Sequence, residues 1–337
     1  MEARILKRLL ALVNDRSQPN LNALNDVAKE VRILQLNMKA FGYDLARKMT
    51  AALPPPSDTA AEVVGLASKG CTQRDIESGW LAHWMRALEV PVVYHRKIWE
   101  LAYVLQALFE ARHLAPGQRG LGFGCGAEPI PSYLASQGVF VTATDFSEEQ
   151  AAESGWIETN QHLGSAAKPF MPHLVSRDVF EQFVTIDTVD MNAIPDRLQG
   201  YDFCWSICAL EHLGSIEHGL RFIERSLDTL RPGGTAVHTM EFNVEPNGPT
   251  VDNWLTVLFQ PKHLEALAER LRSAGHTVLP FDFDMGADVM DNFIDLPPWD
   301  HALAPSERSW LGEPLHLKLS IDGFVSTSFG MIVRKAA

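Results

Sequence analysis

From Pro116 onward the chain alternates short apolar runs with amphipathic helical stretches, and most of the connections between them are brief. GLGFG (residues 120–124) reads as a buried strand entering a turn, PSYLASQ as a helix closed by Gly138, and VFVTATD as the next strand. Farther on, DFCWSIC is a strand, and SIEHGLRFIERSLDTL is a helix with Leu220, Ile223, Leu227 and Leu230 on one face. Arg231-Pro232-Gly233-Gly234 breaks it, and TAVHTMEF returns to strand. Pro261 opens another helix with Leu264, Leu267 and Leu271 inside; HTVLPFDF and STSFGMIVRK are the last strands. Strands joined through helices run parallel, since each connection must cross back over the sheet. The expected class is α/β with a doubly wound, mostly parallel sheet.

The first third follows another pattern. Leu24, Val27, Val31, Leu34, Met38, Phe41 and Leu45 recur with spacings 3-4-3-4-3-4, the a/d seam of a heptad helix. Such a seam packs either on its own domain or on a second copy as a homodimer, and Pro54-Pro55-Pro56 ends the helix. A second helical zone opens with Thr72 and Asp75 in capping-box-like spacing ahead of Ile76, Trp80, Leu81 and Trp84. Ile98, Leu101, Leu105 and Leu108 then form one apolar stripe, and the tryptophans Trp80, Trp84 and Trp99 are expected in the core. Tyr94, His95, Arg96 and Lys97 gather polar and cationic groups just before this helix, as a solvated turn or as contacts to a bound carboxylate. The 337 residues thus divide into a helical or coiled-coil segment (1–56), a helical cap region (57–115) and an α/β domain (116–337) with an insertion at about 285–319.

Composition excludes several classes. The 42 Asp and Glu outnumber the 29 Lys and Arg, no basic run occurs, and broad nucleic-acid binding is not expected. Four cysteines without a CxxC pair argue against a disulfide scaffold or a Cys-rich zinc site. MEARILKRLLALV lacks a signal-peptide core, and no apolar run approaches the roughly 18 residues of a membrane span, so a cytoplasmic protein is expected.

Gly120, Gly122, Gly124 and Gly126 lie between a strand and a helix, and Asp145 ends the next strand. Glycines admit close backbone approach, a helix start offers free N–H groups, and the acid accepts ribose hydroxyls. Gly122, Gly124 and Ala127 also satisfy G-x-G-x-x-[GA], so an NAD-dependent oxidoreductase stays open at this point.

Several stretches together resemble the class I S-adenosylmethionine-dependent methyltransferases. GFGCG at Gly122–Gly126 is similar to their glycine-rich first motif, VDMNAIP to the adenine-contacting segment, YDFCWSICALEHL to the fourth strand and its exit, and LRPGG to the turn before the fifth. The resemblance implies a seven-stranded Rossmann-like sheet and S-adenosylmethionine as cofactor. It implies Gly122, Gly124 and Gly126 beside the methionine and ribose, Asp145 on the ribose hydroxyls, Phe146 on the adenine, and Asp190 with Met191 at its exocyclic amine and ring. The usual acid of the first motif falls on Gly122, and the last glycine of the triplet on Glu128. The methionine amine is then left to Glu128 or to loop carbonyls, and the cofactor carboxylate to Arg96.

A base for an oxygen nucleophile is sought at the exits of the fourth and fifth strands, where open α/β sheets place their sites. The candidates are Glu211, His212 and Glu241, with His238 expected as a packed histidine. ALEHL and EFN also partly resemble the metal-dependent small-RNA 2′-O-methyltransferases, but Cys208 stands where the first acidic ligand would be; a divalent metal on Glu211, His212 and a further group is the minority reading. The insertion between the last two strands carries Asp291, Asn292, Asp295, Trp299, Asp300 and His301, which suit a polyhydroxylated acceptor or form a lid. The leading expectation is O-methylation of a hydroxylated small molecule or sugar, as in glycan modification. A catalytically silent cofactor-binding or assembly subunit is the third alternative.

Overall fold

The structure, a computed structural model, describes residue 13 and residues 20–53, 60–146, 169–299 and 302–337. Pro54–Pro56, Asp300 and His301 lie outside the described residues. Helix α1 (Leu21–Ala52) starts where the Asn20 side chain accepts the Ala23 N–H. Strand β1 (Ser68–Gly70) and helices α2 (Gln73–Ile76), α3 (Gly79–Ala87) and α4 (Arg96–Glu110) follow. Thr72 caps α2 through the Asp75 N–H, as its spacing predicts.

The α/β alternation then runs as expected: β2 (Arg119–Phe123), α5 (Ile130–Ser136), β3 (Phe140–Asp145), α6 (Arg177–Phe183), β4 (Val184–Thr188), β5 (Tyr201–Ile207), α7 (Ile216–Ser226), β6 (Leu230–Asn243) and α8 (Pro261–Ser273). After β7 (Thr277–Val278), β8 (Phe281–Asp282) and β9 (Ile294–Asp295) come α9 (Pro305–Leu311), β10 (Lys318–Ile321) and β11 (Phe324–Arg334). Strands β4-β3-β2-β5-β6 are parallel, and β11 closes on β6 antiparallel. Period-two alternation on β11 sends Ile332 to the core cluster holding Trp84, Trp99 and Trp205, and Met331 and Val333 to the one holding Ile223 and Leu267. The fully buried Trp99 and Trp205 each contribute about 1.5–3 kcal/mol on that account.

Among the described residues eleven strands join the sheet, so four additions surround the expected core. HTVLPFDF is two strands: Pro280 has no N–H for a ladder, β7 pairs with β11, and β8 pairs with β1. Strand β1 inserts beside β11, with the Ser68 N–H donating to the Pro280 carbonyl. The cap region, read as helical, therefore contributes a strand to the sheet. Its three residues show no periodicity that would have marked it.

The insertion folds against α1. Asp295 accepts from Lys39 Nζ at 2.8 Å, Tyr43 Oη at 2.6 Å and His316 Nδ1 at 2.8 Å, and Lys39 lies over the Trp299 ring. Arg32 pairs with Glu307, and Arg47 donates to the Leu311 carbonyl. Gly42 is glycine because Phe293 packs on it: a Cβ there would lie 2.1 Å from the ring. The face of α1 that packs is thus the one with Leu36, Lys39, Ala40, Tyr43 and Ala46, not the heptad seam. No described helix is long and apolar enough to cross a membrane.

Candidate cofactor and catalytic site

A cavity of about 360 Å³ opens at the carboxyl ends of β2, β3, β4 and β5, within the size of small-molecule sites. Its floor is the β2–α5 turn, residues Gly124–Pro129. Gly124 has φ +60°, and a Cβ there would meet the Ala209 Cβ at 2.8 Å, so only glycine lets this loop and the β5 exit close together. The Cys125 N–H donates to the Thr144 carbonyl and the Thr144 hydroxyl to the Gly122 carbonyl, which ties the turn to β3. Asp145 and Phe146 line the next wall, followed by Val189, Met191 and, beyond β5, Ile207–Ala209, His212 and Leu213.

Gly122 is not on the cavity. A Cβ there would meet Cys125 Sγ at 2.3 Å and the Trp205 ring at 2.5 Å, so no acid fits at the position where the family places one. Trp205 instead donates Nε1–H to Glu128 Oε1 at 2.6 Å, and Glu128 does line the cavity. Burial pushes its pKa up to about 8, against the lowering influence of the Trp205 and Cys125 hydrogen bonds. Asp190 is also absent from the lining: its carboxylate accepts the Asn192 N–H at 2.8 Å, and its neighbours Val189 and Met191 face the cavity instead.

Arg96 is absent from the lining as well. Its buried guanidinium pairs with Glu241, lies 3.2 Å from Glu100 and 3.7 Å from Cys208 Sγ, and donates to the Ser328 hydroxyl at 3.0 Å. Nor is the cluster a solvated turn. Tyr94 is buried and donates to Glu77, and His95 caps α4 through the Lys97 N–H. Residues 96 and 97 project about 100° apart on a helix, so Arg96 faces Glu100 while Lys97 and Leu101 face the cavity. Lys97 Nζ lies 3.1 Å from Glu100 Oε2. In the sequence Lys97 stands in the same cluster as Arg96, and its i,i+4 spacing to Leu101 is the signal that places it on the cavity side.

His212 stands at the cavity on the turn after β5. Its Nδ1 lies 2.8 Å from the Leu255 carbonyl, which only accepts, so the neutral ring carries its proton there and its lone pair on Nε2. Burial lowers its pKa to about 4 despite that carbonyl, so the ring is neutral at pH 7. Beside Nε2, Glu211 is fully buried with Oε1 3.9 Å away, and among the described residues neither of its oxygens has a hydrogen-bond partner. Burial and the nearby Glu241 push the Glu211 pKa upward. Glu241 is off the cavity, held by Arg96 and the Ser326 hydroxyl. His238 is packed as expected, its ring between the Ser206 and Ser226 hydroxyls.

Among the described residues, donor atoms of Cys208, Glu211 and Glu241 lie within 4.8 Å of one another. His212 is outside this group. The Arg96 guanidinium already sits on Glu241 and beside Cys208, supplying the positive charge this cluster calls for. A chelator is therefore expected to leave the rate unchanged in a direct assay; a loss restored by added cation would show that a metal shares this chamber.

Residues 121–238 match the family model of the methyltransferase domain. The chain carries a class I S-adenosylmethionine-dependent methyltransferase domain. The protein is thus a methyltransferase with S-adenosylmethionine as cofactor, which replaces the oxidoreductase alternative. No curated protein matches the chain. Solved structures similar to this methyltransferase include a provisionally assigned sarcosine dimethylglycine methyltransferase from Galdieria sulphuraria, at 14% identity and TM-score 0.43 over 82% of this chain and 94% of that one. Phosphoethanolamine N-methyltransferase 2 from Haemonchus contortus, in complex with S-adenosyl-L-methionine, shows 15% identity and TM-score 0.40 over 69% and 53%. TehB from Haemophilus influenzae shows 16% identity and TM-score 0.38 over 68% and 61%.

Proposed function

We propose that this methyltransferase O-methylates a hydroxylated small molecule, with His212 as the proton acceptor. The observation that carries the reading is a neutral histidine on the cavity wall, its tautomer set by Leu255 at Nδ1, with a buried acid 3.9 Å from its Nε2. An amine can lose its proton after transfer, whereas a hydroxyl needs a base as its oxygen becomes a nucleophile. The bound cofactor supplies an activated methyl on a sulfonium; as the C–O bond forms, the C–S bond breaks and its electron pair stays on sulfur. The hydroxyl proton passes to His212 Nε2, and ionised Glu211 stabilises the imidazolium. The test is an assay with labelled S-adenosylmethionine on a panel of alcohols, sugars and amines. Methyl ethers formed by the wild type and lost in His212→Ala support the reading; methylated amines with His212→Ala fully active overturn it.

Sugars fall within this class but gain no support from the insertion. Asp291 accepts the Gln73 and Asp288 N–H groups, Asn292 donates to the Ala287 and Asp288 carbonyls, Asp295 is taken by Lys39, Tyr43 and His316, and Trp299 stacks on Lys39.

For the cofactor, the residues fit: a glycine cradle at Gly124 and Gly126, the Asp145 carboxylate, apolar walls of Phe146 and Met191, and a buried acid. In this reading Asp145 receives the ribose hydroxyls, Phe146 and Met191 flank the adenine, Glu128 takes the methionine ammonium, and Lys97 takes the carboxylate once assigned to Arg96. A charge-assisted hydrogen bond contributes about 1.5–3 kcal/mol, so Glu128→Gln is expected to weaken S-adenosylmethionine binding roughly 10–100-fold. Because Glu128 holds its proton up to about pH 8, pairing with an ammonium must release that proton. Wild-type affinity therefore rises as pH climbs toward 8. Calorimetry in two buffers at pH 7 should show more proton release for the wild type than for Glu128→Gln; equal affinity and equal release would remove Glu128 from the site.

A further inference from the structure

All seven residues of the heptad seam are exposed, from 39% at Leu45 to 63% at Leu34 and 73% at Phe41. The helix that carries them is held from the opposite side by the insertion, through Lys39–Asp295 and Arg32–Glu307, so turning the seam inward would break a buried ion pair. An apolar stripe three heptads long is too regular for scattered surface residues, and its 3.5-residue period is that of a helix meeting another helix by knobs into holes. We infer that the seam of α1 is covered by α1 of a second copy, making the methyltransferase a homodimer.

Two further observations select a second copy over another helix. The positions flanking the seam are Ala23, Ala28, Glu30, Gln35, Asn37, Gly42 and Asp44. They hold no basic residue, and their two charges, Glu30 and Asp44, fall opposite uncharged positions of a second copy. In a parallel, in-register pair, Glu30 meets Gln35, and no like charges face each other. The exposed parts of the seam would bury on the order of 1,200 Å² over two chains, the lower end of stable interfaces.

The test is sedimentation equilibrium of the full chain over a concentration series, beside the double variant Leu34→Glu, Phe41→Glu and a variant lacking residues 1–13. The expected wild-type mass is twice the 37.4 kDa of one chain. Because both side chains are exposed, the double variant should keep its circular dichroism spectrum and fall to the mass of one chain. The truncated chain should remain dimeric. A wild-type mass of one chain overturns the proposal. So does a dimer that survives the double substitution, which would place the interface elsewhere, or one lost on truncation, which would give the seam's contacts to residues 1–13.

Discussion

Replacing His212 with alanine is expected to lower kcat by about 10²–10⁴-fold, the contribution of a positioned general base. S-adenosylmethionine affinity should change little, because the cofactor's charged ends are assigned to Glu128 and Lys97 on other walls of the cavity. The pH dependence separates His212 from a merely structural role. The ring itself sheds its proton near pH 4, so its own titration leaves no limb near neutrality. Glu211 is displaced upward by burial and by Glu241, and it stabilises the imidazolium only when ionised. The rate should therefore rise with pH through the raised Glu211 ionisation. Glu211→Gln should remove that limb and leave a flat, low profile. A rising limb that persists in Glu211→Gln would assign it to another group.

The second large effect concerns stability. Asp295→Ala is expected to destabilise the protein by about 3–5 kcal/mol, because it removes the carboxylate that Tyr43, His316 and the Lys39 ammonium, 2% exposed, all share. At roughly 2–4 °C per kcal/mol for a chain of this size, Tm should fall by roughly 6–20 °C in a scan at fixed protein concentration. Removing both charges with Lys39→Met and Asp295→Leu should recover much of the loss, since a paired charge and an apolar pair differ less than a pair and an orphan. Although burial raises the Asp295 pKa, His316 and Lys39 hold it below the ordinary value. Its contribution is therefore present above the unfolded carboxylate value of 3.8 and fades as pH falls through the lower folded value. An Asp295→Ala protein as stable as wild type at pH 7 would show that α1 and the insertion are held by other contacts.

The parallel sheet was legible because each of its elements carries a local pattern: β11 alternates, α7 and α8 hold apolar faces, and the glycine turn and LRPGG punctuate them. The cavity floor was legible for the same reason, since a glycine turn, an acid ending β3 and an exit loop after β5 follow from position along the sheet. What escaped depends on partners far apart in sequence. Asp295 and Lys39 are 256 residues apart, and nothing near either position shows that the insertion's polar groups satisfy α1 and not an acceptor. Arg96 looked like an anion site until Glu241 and Ser328 were brought onto it from β6 and β11. The displaced acid was half legible: Glu128 was named from its register, while Trp205, which fills the space beside Gly122 and holds Glu128 in place, comes from β5.

In the proposed arrangement the methyltransferase binds its cofactor across the β2–α5 turn with the methionine end on Glu128. A crystal structure with S-adenosylhomocysteine tests it most directly. The amino group is expected within hydrogen-bond distance of Glu128, the ribose hydroxyls on Asp145, the adenine between Phe146 and Met191, and the sulfur facing His212. An amino group held only by loop carbonyls, with Glu128 still turned to Trp205 alone, would contradict it.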